Sequence, residues 1–221
     1  MRKAPSPPGS GIRLVAFDMD GTLVDVESSW AEVHHHFRSS NEAALQAFLH
    51  DEIDDMEFAR RDIALWKQSE PGVSLRHLER ILAKVPLMPG AKELLSALRK
   101  RGVVTAIVSG GIDVLAHRLG RELGFDVVLA NGFVTGKDGR ILRPRIRVPI
   151  KGKEGVLRRL QQDVGIPPGS TASVGNSEID VGLFRASRVG VAFCPEDAPV
   201  REGASHIVEE RDLMQVLPYL E

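Results

Sequence analysis

Five short apolar runs, each closed by a turn signal, set the rhythm of the chain. Residues 12–17 end at Asp18-Met19-Asp20-Gly21, and 103–108 end at Ser109-Gly110-Gly111. Residues 125–130 end at Asn131-Gly132, 172–174 at Gly175-Asn176, and 189–193 at Cys194-Pro195. Apolar runs of this length without polar alternation predict strands buried on both faces. Amphipathic patterns lie between them. Residues 91–101 follow Pro89-Gly90, carry Leu94, Leu95 and Leu98 at helical spacing and stop at Gly102. Residues 112–123, 153–164 and 178–186 read the same way. Strands alternating with helices predict an α/β fold, a doubly wound parallel sheet with a Rossmann-like core.

Residues 30–85 break this rhythm. Val33, Phe37, Leu45, Phe48, Ile63 and Trp66 recur at helix-like spacing, and no strand pattern intervenes. A helical block inserted after the first strand and its loop lies over that strand's carboxyl end, as a cap. The predicted organisation is a flexible N-terminal tail over 1–11, a Rossmann-like core from 12–29 and 86–221, and a helical cap over 30–85. Residues 134–142, with Lys137-Asp138-Gly139 at their centre, predict a β-hairpin.

Composition narrows the classes. The chain has 221 residues, 43% of them hydrophobic and 27% charged, with a net charge of −1. That balance calls for neither nucleic acid nor an anionic membrane as a partner. No apolar run approaches the roughly 20 residues that span a bilayer. Residues 1–11 lack the apolar stretch of a signal peptide, and the single cysteine, Cys194, suits a reducing compartment. The expectation is a cytoplasmic enzyme, a monomer or homodimer.

The polar clusters concentrate where the predicted strands end, the place at which open α/β sheets bind ligands. Asp18 and Asp20 follow the first strand, Ser109 and Gly110 the second, and Asn176 and Asp180 a later one. Lys153 begins the helix that leads into that later strand. A carboxylate nucleophile can accept a phosphoryl group and divide a hard hydrolysis into two easier steps. A divalent metal and a lysine offset the repulsion between that carboxylate and a phosphate dianion. A serine hydroxyl and a glycine N–H can hold phosphate oxygens. A second carboxyl two residues on can protonate the leaving alkoxide and then take a proton from water.

These residues resemble a known family. Phe17-Asp18-Met19-Asp20-Gly21-Thr22-Leu23-Val24 looks like the first motif of the haloacid dehalogenase superfamily. Val108-Ser109-Gly110-Gly111 is similar to the second motif as phosphoserine phosphatases carry it, and Lys153 fits the third. Val174-Gly175-Asn176-Ser177-Glu178-Ile179-Asp180 resembles the fourth, and the likeness continues through residues 191–195 and 210–213. The resemblance implies a Mg²⁺-dependent phosphomonoester hydrolase acting through an aspartyl-phosphate on Asp18. It implies Asp20 as general acid/base, with Mg²⁺ bound by Asp18, the Asp20 carbonyl, Asn176 and Asp180. Ser109, Gly110 and Lys153 are expected to hold the phosphate. Glu27 falls where phosphoserine phosphatases place an acid that meets the substrate's amino group. The substrate is expected to be phosphoserine or a similar small phosphorylated metabolite.

Two positions depart from the pattern. The fourth motif usually begins Gly-Asp, whereas this chain has Gly175-Asn176, which costs one negative charge at the metal that Asp180 is expected to replace. The cap arginine that grips a substrate carboxylate has Asp62 in its register, with Arg60 and Arg61 a helical slip away. Arg61 is the candidate carried forward. Alternatives are a phosphatase or phosphotransferase for another small phosphate ester, or a phospho-ligand-binding protein weakened by Asn176.

Other conspicuous residues have plainer readings. His34-His35-His36 are expected on a solvated helix face, since consecutive helical positions diverge. Asp51, Glu52, Asp54 and Asp55 read as a solvated turn, Cys194 as a small core residue, and Trp30 and Trp66 as cap core. Arg143, Arg145 and Arg147 alternate, which fits one face of an exposed edge strand blunted by charge.

Overall fold

The structure, a computed structural model, describes residues 11–221. The expected tail therefore lies outside the described residues, Gly11 excepted. In chain order the elements are β1 (Leu14–Phe17), α1 (Ser29–Phe37), α2 (Glu42–Leu49), α3 (Asp55–Ser69), α4 (Leu75–Leu82) and α5 (Ala91–Lys100). Next come β2 (Val104–Ile112), α6 (Asp113–Leu123), β3 (Val127–Thr135), β4 (Ile141–Arg145) and α7 (Lys153–Val164). The chain closes with β5 (Thr171–Gly175), α8 (Val181–Arg185), β6 (Val189–Phe193), α9 (Ala198–Gly203) and β7 (His206–Val208).

The strands form one seven-stranded sheet in the order β4-β3-β2-β1-β5-β6-β7. All neighbours pair in parallel except β3 and β4. β1 sits at the centre because it has no solvated face to offer. Side chains alternate across a strand, so Val15 and Phe17 enter one apolar layer while Leu14 and Ala16 enter the other. The first layer takes Leu94, Leu95 and Leu98 of α5 and Leu115 and Leu119 of α6. The second takes Leu157 and Leu160 of α7, Leu183 of α8 and Val200 of α9. Each such buried leucine contributes about 1.5–3 kcal/mol, so both faces hold the sheet.

The expected doubly wound sheet with a helical insertion after the first strand is present, and several details differ. β2 does not stop at Val108. Ser109-Gly110-Gly111 stays extended through a register shift, and Ile112 pairs with Asn131. β3 likewise runs through Asn131-Gly132, because it gains β4 as an antiparallel partner there. The expected hairpin turns at Gly139, whose φ of +79° suits glycine. Residues 178–186 divide into a 3₁₀ turn and α8, and the sequence pattern missed α9 and β7 altogether.

Helices α1, α3 and α4 share the first apolar layer through Val33, Ile63, Trp66, Leu78 and Leu82. They are also tied to the sheet through polar contacts. The Trp30 indole donates to the Gly110 carbonyl at 3.1 Å, and Ile150 N–H donates to Asp55 at 2.7 Å. Ile141 N–H donates to the Val73 carbonyl at 3.0 Å, so the hairpin clasps the far end of the block. The Arg118 guanidinium donates to the carbonyls of Leu82, Ala83 and Val85, each at 2.8 Å, and thereby caps the C-terminus of α4. β4 is the sheet edge, and Arg143 and Arg145 lie exposed on it. No helix among the described residues is long and apolar enough to cross a membrane.

Candidate active site

A cavity of about 520 Å³ opens between the carboxyl ends of the central strands and the helical block. Asp18, Asp20, Glu27, Ser109, Gly110 and Asn176 all line it. Asp18 is the first residue beyond β1, and its N–H is pinned to the Val174 carbonyl at 2.9 Å. Lys153, the first residue of α7, is buried beneath the cavity. Its Nζ donates to Asp18 Oδ1 at 2.7 Å and to Asp180 Oδ1 at 2.6 Å. Burial alone would lower the ammonium's pKa, but Asp18 and Asp180 outweigh it and hold the group above the usual lysine value. Asp18 keeps its other oxygen without a hydrogen-bond partner among the described residues.

Asp180, expected as a metal ligand, has both carboxylate oxygens engaged by donors of the chain. Its Oδ1 accepts from Lys153, and its Oδ2 accepts from the N–H groups of Asn176 at 3.0 Å and Ser177 at 3.3 Å. Its side chain is wholly buried, and burial followed by the neighbouring Asp18 pushes its pKa up. Asp180 is thus the far wall of the lysine clamp and the anchor of the 176–177 turn.

Asp20 is set up differently. Ser29, the first residue of α1, donates its N–H at 2.9 Å and its hydroxyl at 2.8 Å to Asp20 Oδ2. Asp20 Oδ1 is buried with no partner among the described residues. Burial raises the Asp20 pKa to about 7, against the Ser29 backbone bond that lowers it, and Asp18 adds to the rise. Gly111 permits this arrangement, since a Cβ there would lie 2.7 Å from Asp20 Oδ2 and 2.8 Å from Ser29 Oγ.

Ser109 Oγ accepts from Gly111 N–H at 3.1 Å, which leaves its own proton free to donate. The Gly110 carbonyl is held by Trp30 and, at 3.1 Å, by Asn131 Nδ2. Asn131 also donates to the Val148 carbonyl at 2.9 Å and accepts from the N–H groups of Arg147 and Val148. One buried amide therefore fixes the Ser109-Gly110 segment to the loop after β4.

Asn176 donates through Nδ2 to Glu196 at 2.8 Å, and its Oδ1 accepts from Thr22 at 3.4 Å. Gly21, at φ +69°, lets the chain pass here, because a Cβ would come within 2.2 Å of Asn176 Nδ2. Among the described residues no three His, Cys, Asp or Glu side chains are gathered around a common metal position. Asp18, Asn176 and Asp20 line the cavity and offer a free carboxylate oxygen, an amide oxygen and a backbone carbonyl. They are all hard oxygens and fit Mg²⁺ in kind.

Arg61 is not brought to the site. It is exposed, it bonds Glu57 at 3.1 Å one turn away on α3, and it is absent from the cavity wall. Asp62 lines the cavity instead, buried and accepting from Asn41 at 2.6 Å, with His34 Nε2 at 2.8 Å. His34 is therefore not on a solvated face, as the histidine run suggested, while His35 and His36 are exposed. Asp55 likewise leaves the supposed solvated turn to bind Ile150. Ser29 and Glu196 went unmarked in the sequence, and Asn131 was read only as part of a turn signal. Ser28-Ser29 before a helical pattern was a legible capping signal; Asn131 and Glu196 carried none.

Comparison with known proteins identifies the family and the fold. The family model described as haloacid dehalogenase-like hydrolase matches residues 15–185. The chain is 32% identical over 212 residues to a phosphoserine phosphatase of Idiomarina loihiensis, covering 92% of this chain and 91% of that one. It is 27% identical over 215 residues to a phosphoserine phosphatase of Methanocaldococcus jannaschii, covering 94% and 97%. A solved phosphoserine phosphatase carrying a phospho-aspartyl intermediate analogue superposes with a TM-score of 0.79 at 25% identity, over 96% of this chain and all of that one. A substrate-bound phosphoserine phosphatase complex gives 0.80, also at 25% identity, over 95% and 99% of the two chains.

Proposed function

The chain belongs to the haloacid dehalogenase-like hydrolases, in their phosphoserine phosphatase-like branch, and from that premise we propose that it hydrolyses small phosphate monoesters through an aspartyl-phosphate on Asp18. The observation that carries this reading is the contrast between two adjacent carboxylates. Asp18 is neutralised by Lys153 and has one oxygen free, whereas Asp20 is held ready to carry a proton near neutral pH.

In the first step the free Asp18 oxygen attacks phosphorus, the ester P–O bond breaks, and Asp20 gives its proton to the leaving oxygen. In the second, water attacks the aspartyl-phosphate, its proton returns to Asp20, and phosphate leaves with Asp18 restored. The Ser109 hydroxyl and the backbone at Gly110 hold the phosphate oxygens, oriented by Asn131 and Trp30. Lys153 fixes Asp18 in position through its hydrogen bond, and Asp180 keeps Lys153 in place.

Phosphatases of this family are generally Mg²⁺-dependent. Asp18, Asn176 and the Asp20 carbonyl would hold Mg²⁺, which would supply positive charge against the phosphate dianion. The substrate belongs to the class of phosphoserine and similar small phosphorylated metabolites, with Glu27 in the cavity wall facing an amino group. A phosphate-release screen over phosphorylated amino acids, sugars and glycolytic acids, with Mg²⁺ and with Asp18→Asn as control, tests the proposal. Release that persists in the variant would rule out the covalent route.

A further inference from the structure

The charges around the cavity are one-sided. Among the described residues neither lysine nor arginine lines it, while Glu27, Asp62 and Glu196 do. Arg60 and Arg61 are both turned toward Glu57 on their own helix. Two histidines line the cavity, and His34 has committed both ring nitrogens, to Asp62 and to Ser39, at 2.8 Å each. His35 Nδ1 lies 3.7 Å from Glu32. The carboxylates are less occupied. Glu27 has no hydrogen-bond partner among the described residues, and Asp62 uses only Oδ1. Glu196 is held by Asn176 and lies close enough to Glu27 to feel its charge. The remaining wall includes the rings of Trp30 and Phe58.

Resting on the phosphatase reading above, we infer that this cavity selects phosphate monoesters of amino alcohols, with an ammonium head and no carboxylate. An ammonium in this cavity meets the carboxylates of Glu27 and Glu196 and the ring of Trp30, all in its wall. A carboxylate on the same leaving group would meet like charges and no side-chain cation, and would lose its hydration without a partner. Asp62 strengthens that discrimination, because its burial and its bonds to His34 and Asn41 fix an acid in the wall.

Three esters that differ by one group decide the matter: 2-aminoethyl phosphate, phosphoserine, which adds a carboxylate, and 2-hydroxyethyl phosphate, which replaces the amine. With Mg²⁺ present, kcat/KM for the aminoethyl ester is expected to exceed each of the others by about tenfold or more. Glu27→Gln is expected to cost the aminoethyl ester about tenfold more than the hydroxyethyl ester. Phosphoserine turned over as well as the aminoethyl ester, or equal losses in Glu27→Gln, would overturn the inference and leave the phosphatase reading standing. No release from any of the three, nor from p-nitrophenyl phosphate, would overturn both.

Discussion

At the scale of single residues, the site depends on how each carboxylate is partnered. Asp18→Asn retains the shape of the nucleophile and its contact with Lys153, so folding persists while phosphate release falls to background. Circular dichroism and a release assay on the same preparation check both halves. Asp20→Asn is expected to lower kcat by roughly 10²–10⁴-fold through lost proton transfer. Asp20 also predicts a pH effect on stability. Its pKa is pushed up to about 7 in the fold from the ordinary value of 3.8, so the native state binds more protons between those limits. The stabilisation this provides is complete below about 3.8 and is lost as pH rises through about 7. Without divalent cation, the melting temperature of the wild type relative to Asp20→Asn should therefore drop from pH 5 to pH 8; a constant difference would contradict the burial argument. Asn176 offers a third test. Asn176→Asp adds a carboxylate for Mg²⁺ but removes the hydrogen bond to Glu196 and sets two acids face to face. Pairing it with Glu196→Gln restores a donor across that contact. The double variant should need less Mg²⁺ for half-maximal activity than either the wild type or Asn176→Asp alone, as read by titration of activity and of thermal shift.

At the scale of elements, the boundaries of strands carry the chemistry. Ser109-Gly110-Gly111 reads as a turn because glycine pairs mark turns, yet in the fold it remains extended beneath α1. Contacts from Trp30 and Asn131, far away in sequence, hold it there. Gly111→Ala would place a Cβ 2.5 Å from Met19 Cε and 2.7 Å from Asp20 Oδ2. The displaced acid should cost about 10²-fold in kcat, with a smaller change in KM. The same logic explains what the chain disclosed in advance. The apolar runs announced β1, β5 and β6, and the polar pattern placed Asp18 and Asp20 just beyond β1 and Lys153 at the start of a helix, where they lie. Local patterns cannot disclose which partner fills a carboxylate. Asp180 looks like a ligand until both its oxygens are found occupied, and Arg61 looks available until its helix face turns it to Glu57. His34 and Asp55 misled for a related reason, since only tertiary contact with Asp62 and Ile150 buries them.

At the scale of the whole molecule, the helical block and the sheet are joined by a common apolar layer and by the clasps at Trp30, Asp55 and Val73. The central place of β1 has a consequence for how the protein is made. Leu14 pairs with Val104 on one side and with Thr171 on the other. At translation rates of about 5–20 residues per second, the first strand leaves the ribosome several seconds to half a minute before its second neighbour exists. Through that interval both its edge and its apolar face stand open, as a ready address for chaperones or for another nascent chain. A nascent chain stalled before residue 171 should accordingly be cut by protease within 12–17, and one released after residue 208 should resist, because only then are β5, β6 and β7 all available.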